Sequence, residues 1–236
     1  MTAIPSHPDS ITPAWLTERL RAAGLLGQAA VTAVNWEPIG TGQVGDSVRF
    51  HLTYDRPGAG PATLAGKFPA ADPTSRGTAA AFGLYAKEVG FYRELRQHLG
   101  VRVPETIAAE IAEDGIDFIL LFEDLGPARG GNQPASCSAA DARAGVIQAA
   151  ALHAPSWGHA EILSTEWLQA KPEVSAQVQA LYPNAQAIFR ERYADRLEPE
   201  FMAVCEQLAE AGSLWFGRDL PPRCLIHGDF RLDNML

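Results

Sequence analysis

An α+β fold in two parts is predicted for this chain, a strand-rich first half built around one helix and a helical second half. Three observations predict it. Val48, Phe50, Leu52 and Tyr54 alternate with Arg49, His51 and Thr53, the two-residue period of a half-buried strand. Leu84, Phe91 and Leu95 fall at helical spacing within residues 79–98. Past Asp124 a polar, Gly-rich stretch at 126–134 leads into three helical patterns, at 138–153, 174–194 and 198–216.

The elements follow in order. Residues 10–30 read as a short helix with Ser10 or Thr12 as cap and Leu16, Leu20, Leu25 and Leu26 on its apolar side. The pattern changes at Val34, and the alternating strand around 48–54 ends in a Pro- and Gly-rich turn at 55–61. Residues 63–68 read as the next strand, followed by the helix at 79–98. Two further strands, 106–112 and 116–122, meet at Asp114-Gly115, a hairpin dipeptide. The resulting division is an N-terminal helical extension (1–33), a first lobe of antiparallel sheet plus one helix (34–124), and a helical second lobe (125–236).

Composition narrows the function. The chain has 236 residues, 47% hydrophobic and 20% charged, enough to bury a core. A net charge of -9 argues against a nucleic-acid surface, and no apolar run approaches membrane-spanning length. The N-terminus has no basic segment ahead of an apolar core, so it does not read as a secretory signal. Cys137, Cys205 and Cys224 lack metal-type spacing and suggest buried thiols in a reducing, cytoplasmic setting.

The motif richest in chemistry is His227-Gly228-Asp229-Phe230-Arg231-Leu232-Asp233-Asn234, entered from the apolar run Cys224-Leu225-Ile226. An Asp followed five residues later by an Asn suits phosphoryl transfer. Asp229 can accept the proton of an attacking hydroxyl, and the Asn234 carbonyl oxygen can hold magnesium on nucleotide phosphates. Arg231 can neutralise charge on the transferred group. Asp233 reads as a solvated or structural partner, and His227 as a residue that packs and hydrogen-bonds the loop. His153, at a helix end, reads as structural.

Gly40-Thr41-Gly42-Gln43-Val44-Gly45 matches G-x-G-x-x-G. A dinucleotide loop would open a helix and precede an acidic residue about twenty positions on. Here a strand follows instead, which is the arrangement that covers phosphates in kinases, with Ser47 just beyond the loop. An ordinary hairpin turn is the simpler alternative. Lys67 lies inside a strand, where a lysine usually marks a solvated edge. Glu88, however, falls on the helical stripe of 79–98, and a carboxylate facing a core is costly unless paired. Lys67 is its nearest candidate partner in the sequence. In a two-lobed kinase the segment at the end of this strand offers backbone groups to adenine, which here would be the Glu123 carbonyl and the Leu125 N–H.

Together these residues resemble the aminoglycoside phosphotransferase and choline-kinase-like superfamily of small-molecule kinases. His227 to Asn234 is similar to its catalytic loop, and closest in wording to the branch of ecdysteroid kinases and of kinase-like domains found with acyl-CoA dehydrogenases. Glu88-Val89-Gly90-Phe91-Tyr92-Arg93-Glu94-Leu95 resembles its helix bearing the lysine partner, and Leu152-His153-Ala154-Pro155-Ser156-Trp157 the end of a long helix of the second lobe. The resemblance covers about residues 34–236. It implies a protein-kinase-like two-lobed fold and transfer of the ATP γ-phosphate to a hydroxyl of a small molecule. In that scheme Asp229 is the base, Asn234 a magnesium ligand, Lys67 the phosphate-contacting lysine and Glu88 its partner. The family also places a second magnesium-binding Asp on a strand soon after this loop, then helices that complete the substrate pocket. Neither is in the sequence, so the second lobe is expected to be incomplete, the chain a fragment of a protein of about 330–360 residues. Exposed apolar surface and marginal stability are expected with it.

Two other readings stand beside this one. A pseudokinase or regulatory module would bind nucleotide without turnover. A metal hydrolase would use His227, Asp229 and Asp233 and leave the glycine loop and the Lys67–Glu88 pair as coincidences. Trp157, Trp167 and Tyr182 are the aromatic candidates for acceptor contacts, each equally suited to a core.

Overall fold

A computed structural model describes residues 4–40, 42, 44–169, 172–216, 218 and 223–236. The chain forms two compact units: Met1–Leu163 with Cys224–Leu236, and Ser164–Arg223.

The first unit is built on a five-stranded antiparallel sheet: β1 (Val31–Pro38), β2 (Gly45–Tyr54), β3 (Thr63–Pro69), β4 (Thr106–Ile111) and β5 (Phe118–Glu123), in the order β1-β2-β3-β5-β4. The first strand, β1, is missing from the sequence reading. Only Val31 on it is buried, so its apolar alternation is weak, and pairing with β2 is what makes it a strand.

Helices cover both faces of the sheet. On one face α1 (Pro13–Ala22) buries Leu16 and Leu20 against Val48, Phe50, Leu64, Phe68, Ile119 and Leu121. The Thr12 hydroxyl caps it by accepting the Trp15 N–H, and the helix stops short of the expected residue 30 because Gly24 adopts a left-handed φ of 72°. Thr17 and Arg21 then bind the incoming β1, Thr17 Oγ1 accepting the Val31 N–H at 2.9 Å and Arg21 donating to the Ala29 carbonyl. The opposite face packs on Ala79, Tyr85 and Val89 through Phe118, Leu120 and Phe122. Strand β5 is therefore buried on both sides, which accounts for its unbroken apolar run.

The helix expected over 79–98 is divided. α2 (Pro73–Ala81) and α3 (Leu84–Gly90) are separated by Gly83 at φ 61°, and α3 runs on through a wide π turn (Phe91–Leu95) and a tight turn (Arg96–His98). The buried stripe also differs from the expected one: Tyr85, Val89 and Leu95 face the core, whereas Leu84 is 37% exposed.

Past the connector, α4 (Ala139–Ser156) begins with a reciprocal Ser138–Asp141 capping box. It continues three residues past its expected end through Pro155. That residue has no N–H for the Ala151 carbonyl, which accepts from Gly100 instead. A short helix, α5 (Ala160–Leu163), closes this part of the unit. The second unit pairs α6 (Pro172–Tyr193) with α7 (Pro199–Phe216), clamped by Arg190 and Gln186 on Glu206. Hydrogen bonds from Arg190 and then Gln186 hold the Glu206 carboxyl down at about 2. The thiols are not buried as expected: Cys137 is exposed, and Cys205 and Cys224 are half-buried.

Candidate active site

The pleat of β3 sorts its side chains. Leu64 and Phe68 point into the α1 face, so Ala65 and Lys67 point to the α3 face. Lys67 Nζ meets Glu88 Oε1 at 2.6 Å, with both side chains 31% exposed. Glu88 sits at the margin of the buried stripe, where it can reach both the lysine and solvent. One turn on, the Tyr92 hydroxyl is pushed above the usual tyrosine range, by burial first and by the Glu88 charge second.

Register explains the glycines. Gly45 opens β2 opposite Pro69, and Ser47 lies directly across from Lys67. A Cβ at Gly45 would come within 3.1 Å of Lys67 Cε, so the missing side chain makes room for the lysine stem. Gly42 has even less space, since its Cβ would fall 2.5 Å from the Gly45 carbonyl oxygen, and Gly40 adopts a φ of 76°. Thr41 and Gln43 of the same motif lie outside the described residues. Sequence reasoning overlooked Tyr85, 1% exposed, whose hydroxyl donates to the Val44 carbonyl at 2.7 Å and accepts the Ala70 N–H at 3.2 Å. It fastens the glycine loop to the end of β3 and to the helix that carries Glu88. Its place in the sequence, three residues before Glu88, looks like ordinary core; only the buried hydroxyl's need for partners marks it.

At the end of β5, Glu123 and Leu125 flank Asp124. The Asp124 side chain is 8% exposed and takes Arg49 in a two-pronged contact at 2.6 and 3.1 Å, as well as the Gly126 N–H. Those hydrogen bonds, Arg49 foremost, bring its carboxyl down to about 2. The lock fixes the strand end whose backbone carries the Glu123 carbonyl and the Leu125 N–H.

The loop at 227–234 is assembled locally. It is anchored where the Leu225 N–H donates to the buried Ser156 hydroxyl, 2.9 Å away. Gly228 turns at φ 86°, and His227 Nδ1 accepts the Asp229 N–H while its ring meets Phe230 edge-on. A tight turn over Leu232–Asn234 then swings Asn234 back. The Asn234 amide donates to the Asp229 carbonyl and to Asp229 Oδ2, both at 2.9 Å. Arg231 Nε lies 3.3 Å from the same Oδ2 and its Nη1 3.4 Å from Asp233 Oδ2. Asp229 Oδ1 and Asn234 Oδ1 stay outside these contacts. The spacing that singled out Asp229, Arg231 and Asn234 thus brings them together in one cluster.

The phosphotransferase enzyme family matches residues 67–236, a span that opens on Lys67 and takes in the whole of this loop. The chain belongs to that family, within the aminoglycoside phosphotransferase and choline-kinase-like superfamily. A search of curated proteins finds no match. Membership makes this chain a phosphotransferase in the general sense, and the mixed α+β architecture agrees with the family's kinase-like fold.

The donor set of this phosphotransferase suits a magnesium nucleotide. Lys67 offers a half-exposed cation beside a glycine loop in which Gly42 and Gly45 have no room for a side chain. Asn234 offers one neutral oxygen, and magnesium needs few protein oxygens because phosphates and water fill most of its shell. Among the described residues no group of three or more His, Cys, Asp or Glu could hold a metal, and no helix is long and apolar enough to cross a membrane.

Proposed function

We propose that the chain is an ATP-dependent kinase that phosphorylates a hydroxyl group of a small molecule. The arrangement at Asp229 carries the proposal. The Asn234 amide donates to Oδ2 and the Arg231 guanidinium pairs with the same atom, which fixes the carboxylate and leaves Oδ1 as the atom that accepts the hydroxyl proton. Lys67 holds phosphate oxygens and Glu88 orients Lys67. Backbone groups of Gly40, Gly42 and Gly45, with Ser47 behind them, cover the phosphates, and those of Glu123 and Leu125 meet the adenine. Asn234 Oδ1 ligates magnesium, and Arg231 offsets charge on the group in transit. Bound together, ATP and magnesium supply the phosphoryl group.

In this reading residues 34–124 form the phosphate-gripping lobe, 125–236 the lobe of the base, and 1–33 an added helical layer. The setting is cytoplasmic, in keeping with three free cysteines, and the partner is a small alcohol.

The test is ADP release from ATP with a panel of small alcohols, alongside mass spectrometry for the phosphorylated product. Expected is turnover that stops when EDTA removes magnesium. ATP bound without turnover would replace this reading with a pseudokinase, and phosphoester hydrolysis without ATP would replace it with a hydrolase.

A further inference from the structure

The connector at 126–134 reads in sequence as a plain polar link between two lobes. In the structure it grips the catalytic loop. The Gln133 N–H donates to Asp233 Oδ1 at 2.9 Å, and Gln133 Oε1 accepts the Leu232 N–H at 3.0 Å. Two residues earlier the Gly131 N–H donates to the Met235 carbonyl at 3.1 Å. A side chain at Gly131 would put its Cβ 2.6 Å from the Leu232 carbonyl oxygen, so the approach is as close as backbone allows. These contacts join segments about a hundred residues apart.

We infer that Gln133 is a positioning residue for the catalytic base, an inference that rests on the phosphotransfer reading above. The route is continuous. Gln133 fixes Asp233, Asp233 Oδ2 faces Arg231 Nη1, and Arg231 Nε faces Asp229 Oδ2. Its second bond, to the Leu232 N–H, holds the turn that returns Asn234 to the same carboxylate. Both contacts on Asp229 Oδ2 therefore lead back to one residue of the connector, the Arg231 arm through its backbone N–H and the Asn234 arm through its side chain. Glu123 and Leu125, proposed to meet the adenine, lie at the end of β5 just ahead of the connector, so one stretch of chain runs from the proposed nucleotide contacts to the residue that sets the base. A carboxylate turned away from the reacting hydroxyl costs rate and leaves nucleotide affinity intact, because the base does not hold ATP.

Gln133→Leu keeps the side chain's bulk and removes its acceptor; Gln133→Glu keeps an acceptor oxygen. The probes are magnesium-ATP with water as acceptor, for steady-state rates, and amide hydrogen exchange, which reads the loop whether or not turnover occurs. In Gln133→Leu the Leu232 N–H is expected to exchange roughly fivefold faster with the Leu225 N–H unchanged. Its kcat should fall by about tenfold with KM for ATP within about twofold, and Gln133→Glu should restore most of the rate. Unchanged exchange at Leu232 would overturn the inference, and so would faster exchange at Leu225 as well, a sign of general loosening. Faster exchange at Leu232 alone with kcat intact would show a contact without a positioning role. A wild-type chain with no ATP turnover would sink the phosphotransfer reading itself, a result distinct from an active wild type and an equally active variant.

Discussion

The two halves of the site are held by different physics. Lys67 and Glu88 come from a strand and a helix 21 positions apart, and their pairing depends on a sheet packed on both faces. Asp229, Arg231 and Asn234 lie within six residues, their carboxylate is 64% exposed, and the loop's own turn with a few hydrogen bonds from the connector holds them. The phosphate-gripping half should therefore answer to changes in packing some distance away. The half bearing the base should ignore the core and answer to single donors.

The sharpest break of that contrast is Asp229→Asn, which removes the proposed base and leaves the packing alone. Phosphotransfer is expected to fall by about a thousandfold in kcat, with KM for ATP and the melting temperature nearly unchanged. A loss of stability comparable to that of a core variant would mean the loop is structural and would place both halves under one rule.

What could be read from the sequence follows the same division. The Asp229 cluster was legible because its geometry is local: five positions separate Asp229 from Asn234, and a turn of that length returns one to the other. On the phosphate side, β2 was legible from its period of two, and the Glu88 contact came from asking what would pair a carboxylate beside a core. The stripe itself was misread, Leu84 taken for Tyr85 and Val89, because the π turn beginning at Phe91 changes the helical phase. β1 was not legible, since a strand with one buried residue carries no pattern of its own. Neither were Tyr85 and Gln133, whose roles come from partners 41 and about a hundred positions away.

Next in size are the two members of the pair. Lys67→Met removes the cation proposed to meet phosphate and should cost about a hundredfold in kcat/KM for ATP. Glu88→Gln keeps a polar partner and should cost roughly tenfold. If Glu88 acts through Lys67, the double variant should be no worse than Lys67→Met alone. Additive losses would show Glu88 working on its own.

Gly66→Ala tests whether packing governs the phosphate half alone. Gly66 is buried, and a Cβ there would stand 2.6 Å from Phe50 Cε2, against the edge-on Phe50–Phe68 pair. Denaturant unfolding is expected to show a loss of about 1–3 kcal/mol. Under native conditions KM for ATP should rise severalfold through the neighbouring Lys67, with kcat little changed. A drop in kcat at constant KM would mean that strain in the sheet reaches the base, and the division argued here would fail.

The smallest effect concerns Asp124, where the sheet meets the connector. Arg49 lowers its folded-state pKa to about 2, while in the unfolded chain an ordinary Asp titrates near 4. A depressed carboxylate contributes stability that is complete above the unfolded value and disappears as pH falls through the folded one. Asp124→Asn should thus melt a few degrees below wild type at pH 7, and the gap should close between about pH 4 and pH 2. Because the lock fixes the strand end proposed to meet the adenine, KM for ATP should rise modestly at neutral pH while kcat holds. A gap that persists below pH 2 would trace the loss to packing of the side chain rather than to its charge.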